Sequence, residues 1–462
     1  MRPPLRPLDR AQRIPASYTQ EERVRAGGTV HVQNNVVALA LRLRGSMTAD
    51  TVNEALARLV ARHDALRLTF SVDSQGVRAH VADEPSFGYA VQSVEGLAPT
   101  RRLAAGLARL ARDASEPFDI RTGPLVRGSV VQVSDAVCLL GLTVDHMLAD
   151  GRSCEIILRD LVALLDEVRS GIAADLPTLS VQFPDWTVWE RRYLQGPARQ
   201  RLAEYWRTTL AGTTALPASG LEEPAAERGP AGVDAVWRAV DGDVWTRLSA
   251  VARDLRTLPF NLVSAVLKAT VYRRRRLREL DEAAADVAVF GALANRGSHV
   301  LDDVVGYFAT SAVLRTNLSG DPSLEELVRR ESRMLLGAMA HEELPHPLVA
   351  MEVSPELYGI RYRPGARIPA YLNFDMPHAR PPTRFTTQGL CAEVMRVPVV
   401  ELPRSGLRLI AHPLNEGIRI EARCRTDYFS RMWVDSFLTA YHTLLSAWVK
   451  VPGARLSQVA PE

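Results

Sequence analysis

Residues Val137–Ser153 read VCLLGLTVDHMLADGRS. The first part, Val137 to Val144, is an apolar run of strand length. It ends on His146-x-x-x-Asp150-Gly151, where Gly151 breaks the run and a helical pattern begins. That helix covers Cys154 to Val168 and stops at Ser170-Gly171, a pair suited to a left-handed helix end. A strand that stops on His-x-x-x-Asp-Gly carries an imidazole to the mouth of a sheet, its ring held by the backbone turn behind it. Such a histidine is well placed to act as a general base. The plainer reading is a satisfied core histidine. The spacing of Asp150-Gly151, and Ser153 opening a helix, tip the balance toward function.

Outward from this segment, strands and helices alternate, which argues for a layered α/β architecture. Apolar residues from His31 to Leu43 predict a strand. Thr48 caps a helix with the stripe Val52, Leu56, Leu59 and Val60. Leu66 to Val72 predicts a short strand and Arg101 to Ala114 an amphipathic helix. Leu125 to Val133 pairs with Val137 to Val144 through a turn at Ser134-Asp135. A boundary falls near Ala173 to Leu179, giving an N-terminal lobe over 1–175 and a C-terminal lobe over 176–462. In the second lobe, Thr213 to Val233 lacks periodicity and reads as a mobile connector. The helix Asn261 to Arg276 then leads to the strand Val287 to Ala292.

The chain has 462 residues and a formal net charge of +3. That length suits two to three domains, and the charge is too small to argue for nucleic acid. The four cysteines, Cys138, Cys154, Cys391 and Cys424, show no metal-ligand or disulfide spacing. They read as reduced thiols, and neither a signal peptide nor a membrane span is legible. A cytoplasmic protein without nucleic-acid or membrane partners is the expectation. No phosphate-binding glycine loop and no metal site is read from the sequence.

The segment Asp145–Gly151 resembles the His-His-x-x-x-Asp-Gly signature of nonribosomal peptide synthetase condensation domains, with Asp145 in place of the first histidine. The likeness extends along almost the whole chain. Pro7-Leu8 with Ala11-Gln12 is similar to the family's opening, and Arg62-His63-Asp64-Ala65-Leu66-Arg67 to a second segment. Pro117-Phe118-Asp119, Gly123-Pro124-Leu125 and Arg127 match the lead-in to the signature strand. Pro184-Asp185-Trp186, Trp189, Tyr205-Trp206 and Leu210-Ala211-Gly212 follow. After them come Asn295-Arg296, Gly306-Tyr307-Phe308, Leu314-Arg315, His341 with Pro345, and Asp427-Tyr428-Phe429. Two places depart. Thr310 stands where the family usually has Asn, and Leu372 to Pro377 reads Leu-Asn-Phe-Asp-Met-Pro. The Asp-Phe-Gly-Trp-Gly motif of the plant and mycobacterial acyltransferase cousins is not found.

The resemblance implies two lobes of the chloramphenicol-acetyltransferase type, each a mixed sheet flanked by helices, with the site in a tunnel between them. It implies a free-standing condensation enzyme that moves an acyl or aminoacyl group from a carrier-protein thioester to an amine or hydroxyl. The phosphopantetheine arm would come from the donor carrier protein, and the chain itself would bind no cofactor and no metal. The acceptor would ride on a second carrier protein or be a free small molecule. His146 would be the catalytic base, since imidazole titrates near neutrality. Amides at the start of the helix after Gly151 would favour a developing oxyanion.

Asp150 reads either as a second catalytic group or as a buried carboxylate that requires a cation. The family favours the second, pairing it with the Arg of an Asn-Arg motif. Here that predicts an Asp150–Arg296 ion pair, with Asn295 beside it, tying the two lobes together. Asp145, Gly151 and Ser153 would support the site. Asp145, Asp150 and Ser153 also satisfy the Asp-x4-Asp-x2-Ser mark of heterocyclization domains, which lack the second histidine that His146 supplies. A non-catalytic protein that only recruits partners is the third reading. The run Arg273-Arg274-Arg275-Arg276 with Arg278 reads as a solvated helix end favoured by the macrodipole. Its alternative is a docking patch for an acidic carrier.

Overall fold

The computed structural model describes residues 3–9, 12–31, 36–45, 47–74, 76–213, 215, 218–223, 229–230, 232–277, 285–360, 370–375, 383–387, 389–399, 406–414 and 417–459. Among them, the strands of two six-stranded sheets are β1 (Val36–Arg44), β2 (Gly88–Ser93), β3 (Val126–Ser134), β4 (Val137–Asp145), β5 (Val233–Val240), β6 (Asp286–Leu293), β7 (Thr310–Asn317), β8 (Leu372–Asp375), β9 (Arg384–Thr386), β10 (Cys391–Met395), β11 (Leu407–Leu414) and β12 (Gly417–Arg425). The principal helices are α1 (Tyr18–Gly27), α2 (Ala49–Arg62), α3 (Pro99–Ser115), α4 (Gly151–Ser170), α5 (Phe183–Leu194), α6 (Pro197–Thr209), α7 (Gly242–Asp254), α8 (Pro259–Arg276), α9 (Leu324–Ala340), α10 (His346–Val353) and α11 (Arg431–Trp448).

The chain divides into two compact units that are not simple halves. Unit 1 joins residues 1–199, 294–309 and 381–401, and unit 2 holds 200–293, 310–380 and 402–462. The contiguous division at 175/176 expected from the sequence is therefore corrected. α5 stays with the first unit, and two later segments return to it. The breaks in sequence pattern mark loops, whereas the units are set by which segments pack together.

In unit 1 the sheet order is β9-β10-β1-β4-β3-β2. Neighbours are antiparallel except β2 beside β3. β4 lies at the centre, pairing Asp145 with Val36 and Val144 with Val126. Both of its faces are covered. Leu140 and Leu142 pack with the stripe of α2 and the buried face of α4, while Leu139 packs with Leu110 of α3. A strand covered twice reads as a continuous apolar run rather than an alternating one, the pattern seen at Val137 to Val144. At Gly141 a Cβ would lie 2.6 Å from Leu110, so α3 needs a glycine there.

Local signals largely hold. Thr48 caps α2 by accepting from the Thr51 amide, and the stripe Val52, Leu56, Leu59 and Val60 is fully buried. Gly171 ends α4 with φ 74°, left-handed as expected. The expected strand from Leu66 begins at Leu68, because Asp64–Arg67 forms a short 3-10 turn. Residues 32–35 of the first expected strand lie outside the described residues.

The sheet of unit 2 runs β5-β12-β11-β8-β6-β7 and is also mixed, with β8 parallel to both of its neighbours. α7, α8 and α11 pack on it. A buried ion pair sits in this core. Lys268 Nζ donates to Glu331 at 2.9 Å and to Thr316 Oγ1 at 2.9 Å, and both charged side chains are fully buried. Burial pulls the Lys268 amine down, and the Glu331 charge works against that pull.

Two expectations hold only in part here. Of the arginine run, only Arg276 is exposed as a solvated end would be, while Arg273, Arg274 and Arg275 are half-buried. Arg273 donates to the carbonyls of Leu456 and Val459, Arg274 to Ser436, and Arg275 to Ser219 and Asp286. These guanidinium groups staple the end of α8 to neighbouring backbone. Arg278 lies outside the described residues. Of the expected mobile connector, residues 214, 216–217, 224–228 and 231 lie outside the described residues. Within the rest, Ala215 and Leu221 are fully buried, and Glu223 accepts from the Ser430 hydroxyl at 2.9 Å at the start of α11. No helix among the described residues is long and apolar enough to cross a membrane.

Candidate active site

β4 ends at Asp145 and α4 begins at Gly151, so the signature residues occupy one tight connection. Asp145 is fully buried, and its Oδ1 accepts from the Met147 amide at 2.8 Å. Its carbonyl accepts from the Leu148 amide at 2.9 Å. These bonds fold the chain back immediately after the strand and present His146, which is partly exposed. The imidazole packs edge-on to Tyr307, with ring centroids 5.0 Å apart and planes at 65°. The Arg23 guanidinium lies 4.7 Å from the centre of the Tyr307 ring.

Asp150 is the helix cap and the hub of a buried network. Its Oδ1 accepts from the Ser153 amide at 2.9 Å, from Ser153 Oγ at 2.8 Å and from Arg296 Nη2 at 3.1 Å. Its Oδ2 accepts from the amides of Phe308 at 3.1 Å and Ala309 at 3.2 Å. A buried carboxylate with this many donors is compensated in charge and in hydrogen bonding. The structural reading of Asp150 is the one its surroundings fit. The Ser153 amide, one of the donors expected to face an oxyanion, is already engaged by Asp150.

Arg296 is nearly enclosed, with a side-chain exposure of 6%. It also donates to the carbonyls of Leu301 and Val304, and its guanidinium lies 4.1 Å over the Phe308 ring. Burial lowers its pKa, and the Asp150 charge opposes that effect. The expected pair thus forms, but it does not tie lobe to lobe. Asp150 and Arg296 both belong to unit 1, because residues 294–309 fold into that unit. Asn295 takes a left-handed φ of 51°, and its Nδ2 donates to the Phe308 carbonyl at 3.3 Å.

Ser153 Oγ couples the two sides of this network. It accepts from the Gly306 amide at 3.0 Å and lies 2.7 Å from the Gly306 carbonyl. Gly306 is sterically fixed, since a Cβ there would approach Phe183 to 2.1 Å. Phe183, Trp186 and Phe308 form an aromatic cluster behind it, with centroids 4.9 to 5.5 Å apart. Gly151 is different. A Cβ there would meet nothing within 4 Å, so the turn itself does not demand glycine.

The other quoted segments serve packing. Asp185 caps α5 with Gln182 and accepts from the Leu8 amide at 2.9 Å, which anchors the opening Pro7-Leu8 segment. His63 is fully buried against Asp160, 3.0 Å away, and burial keeps the imidazole pKa low. His341 closes α9 and stacks on Tyr205 at 3.7 Å, while Pro345 precedes α10.

Two contributors to the site had no role assigned from sequence, Gln20 and Tyr307. Gln20 Nε2 donates to the Met147 carbonyl at 2.7 Å. Its signal was present in Ser17-x-x-Gln20, a capping box that opens α1. α1 itself went unread because its sequence is largely polar.

Comparison with known proteins gives the family and the fold. The family model described as Condensation domain matches residues 25–356, so the chain belongs to the condensation-domain family. Its fold class is accordingly α/β, with two chloramphenicol-acetyltransferase-like lobes. The chain is 30% identical to phosphinothricin tripeptide synthetase PhsC of Streptomyces viridochromogenes over 360 residues, covering 76% of this chain and 32% of that protein. It spans less than a third of the length of the curated relatives it matches. An X-domain solved in complex with OxyB from teicoplanin biosynthesis is similar at 25% identity and TM-score 0.76, covering 100% of this chain and 98% of that one. The first condensation domain of the calcium-dependent antibiotic synthetase, solved with a substrate analogue, has the same fold. It aligns at TM-score 0.72 and 15% identity, covering 98% and 99% of the two chains.

Proposed function

We propose that this chain is a condensing acyltransferase of nonribosomal peptide or related antibiotic biosynthesis. It moves an acyl or aminoacyl group from a carrier-protein thioester to an amine or hydroxyl. His146 takes the proton of the attacking nucleophile as the new amide or ester bond forms at the thioester carbon. The resulting imidazolium returns that proton to the departing phosphopantetheine thiolate, so the base is regenerated. A positioned base of this kind contributes roughly a hundredfold to ten-thousandfold.

One observation carries the reading. Of the three signature side chains with proton-transfer chemistry, Asp145 is 0% and Asp150 3% exposed, while His146 is partly exposed. Asp145 accepts from the Met147 amide, and Asp150 from the Ser153 amide and Arg296. That also argues against the heterocyclization reading, which would need Asp145 and Asp150 at the substrate. The experiment is to compare His146→Ala with Asp145→Ala in an assay with acylated carrier protein. Loss of product in His146→Ala, with the unfolding transition unchanged, supports the reading. Full activity in that variant overturns it.

A second reading is a recruiting protein without catalysis, favoured by the likeness to an X-domain solved with a bound partner. Wild-type protein that makes no product, yet binds a partner protein tightly by calorimetry, would establish it.

A further inference from the structure

The turn that carries His146 is held from two sides. From within, Asp145 accepts from the Met147 amide at 2.8 Å. From outside, the Met147 carbonyl accepts from Gln20 Nε2 at 2.7 Å. Gln20 is fully buried. Its Oε1 accepts from the Ser17 amide at 2.9 Å, and its own amide donates to Ser17 Oγ at 3.2 Å. The two ends of this amide therefore face a donor and an acceptor, which fixes the orientation of the group. α1 is itself anchored. The Tyr18 amide donates to Glu190 at 3.0 Å, and Arg191 donates to the Ala16 carbonyl at 2.9 Å and to Glu21 at 2.6 Å. Three residues beyond Gln20, on the same helix, Arg23 covers the ring of Tyr307, whose edge meets the imidazole.

We propose that Gln20 is a positioning residue for His146, clamping the peptide next to the imidazole so that α1 and the signature turn move as one body. This rests on the reading of His146 as the base. The residue directly after His146 has both of its backbone polar groups engaged, one by Asp145 and one by Gln20. An error of about 1 Å in such a group costs on the order of a hundredfold in rate.

Gln20→Glu separates the clamp from the helix cap. The carboxylate still accepts from the Ser17 amide, but it donates nothing to the Met147 carbonyl while ionised. When protonated, it regains a donor. The expected result is a kcat roughly 10- to 100-fold below wild type at pH 8, with KM for the acylated carrier protein unchanged. The variant-to-wild-type ratio of kcat should then climb as pH falls and the buried carboxyl takes up a proton. Amide exchange at Met147 and Leu148 should speed up in the same variant at pH 8, a readout independent of activity. Ser17→Ala, which weakens only the cap, should leave kcat and exchange at Met147 unchanged.

A Gln20→Glu protein with wild-type kcat at every pH and unaltered exchange overturns the proposal, provided His146→Ala is inactive. If His146→Ala is itself active, the base assignment falls, and the positioning role falls with it. Faster exchange in Gln20→Glu would then mark Gln20 as a purely structural clamp.

Discussion

Asp150 and Arg296 meet at 3.1 Å across 146 residues of sequence, and both lie in the same compact unit. Five donor contacts converge on the Asp150 carboxylate, from Ser153, Arg296, Phe308 and Ala309. Arg296 adds two backbone carbonyls to its own partners. The pair acts as a brace that locks the 294–309 segment onto the start of α4.

Removing the cation should be severe. Arg296→Ala leaves Asp150 buried without its counter-ion, a change that typically costs about 3–5 kcal/mol. Urea unfolding followed by circular dichroism measures it. A midpoint equal to wild type would contradict the brace.

Asp145 should need its shape more than its charge. Asp145→Asn keeps an oxygen to accept from the Met147 amide and should stay within a few-fold of wild-type product formation. Asp145→Ala leaves a buried amide unsatisfied, a loss of about 1–3 kcal/mol. Product assays and melting curves on both variants decide this. A folded but inactive Asp145→Asn would bring back the carboxylate-dependent chemistry of heterocyclization.

Gly151 and Gly306 should behave oppositely. Gly306→Ala forces a Cβ to within 2.1 Å of Phe183 and should cost about 1–3 kcal/mol through overpacking. Gly151→Ala, in open space at the first residue of α4, should leave stability unchanged or raise it by up to about 1 kcal/mol. If Gly151→Ala is stable yet inactive, the open space above it is where substrate passes close to the backbone.

Glu190 makes stability depend on pH near neutrality. Burial pushes its carboxyl up to about 7, against an ordinary value of 4.5. The folded chain therefore holds this proton more tightly than the unfolded chain. The contribution is complete below about 4.5 and is lost as pH rises through about 7. Glu190→Gln should then gain stability over wild type between pH 5 and pH 8, by at most about 3 kcal/mol. Denaturant midpoints at the two pH values test it, and an equal difference at both would contradict the buried-proton account.

Much of the fold was legible because local signals and burial agree. The Val137 to Val144 run, the Thr48 cap and the Gly171 terminus each follow from residues in one short stretch. The family motifs placed Asp150 opposite Arg296 correctly. What escaped depends on residues far apart in sequence. No periodicity near residue 175 shows that 294–309 and 381–401 return to unit 1. Arg273, Arg274 and Arg275 look solvated until Leu456, Val459, Ser436 and Ser219 supply their carbonyl partners. Gln20 sits in a polar helix, and its contact with Met147 joins residues 127 apart in sequence. The position of His146 at the end of the strand was legible; the contacts around its turn from Asp145 and Gln20 were not.

The discontinuity of unit 1 bears on how the chain emerges from the ribosome. β4 and the start of α4 are synthesised well before Arg296, and β10, which pairs with β1, comes later still. Until then the Asp150 carboxylate lacks its guanidinium partner and one side of β1 is open. A fragment cut near residue 175 or 199 should therefore be recovered as an aggregate, and maturation of the signature turn should wait for translation to pass residue 400.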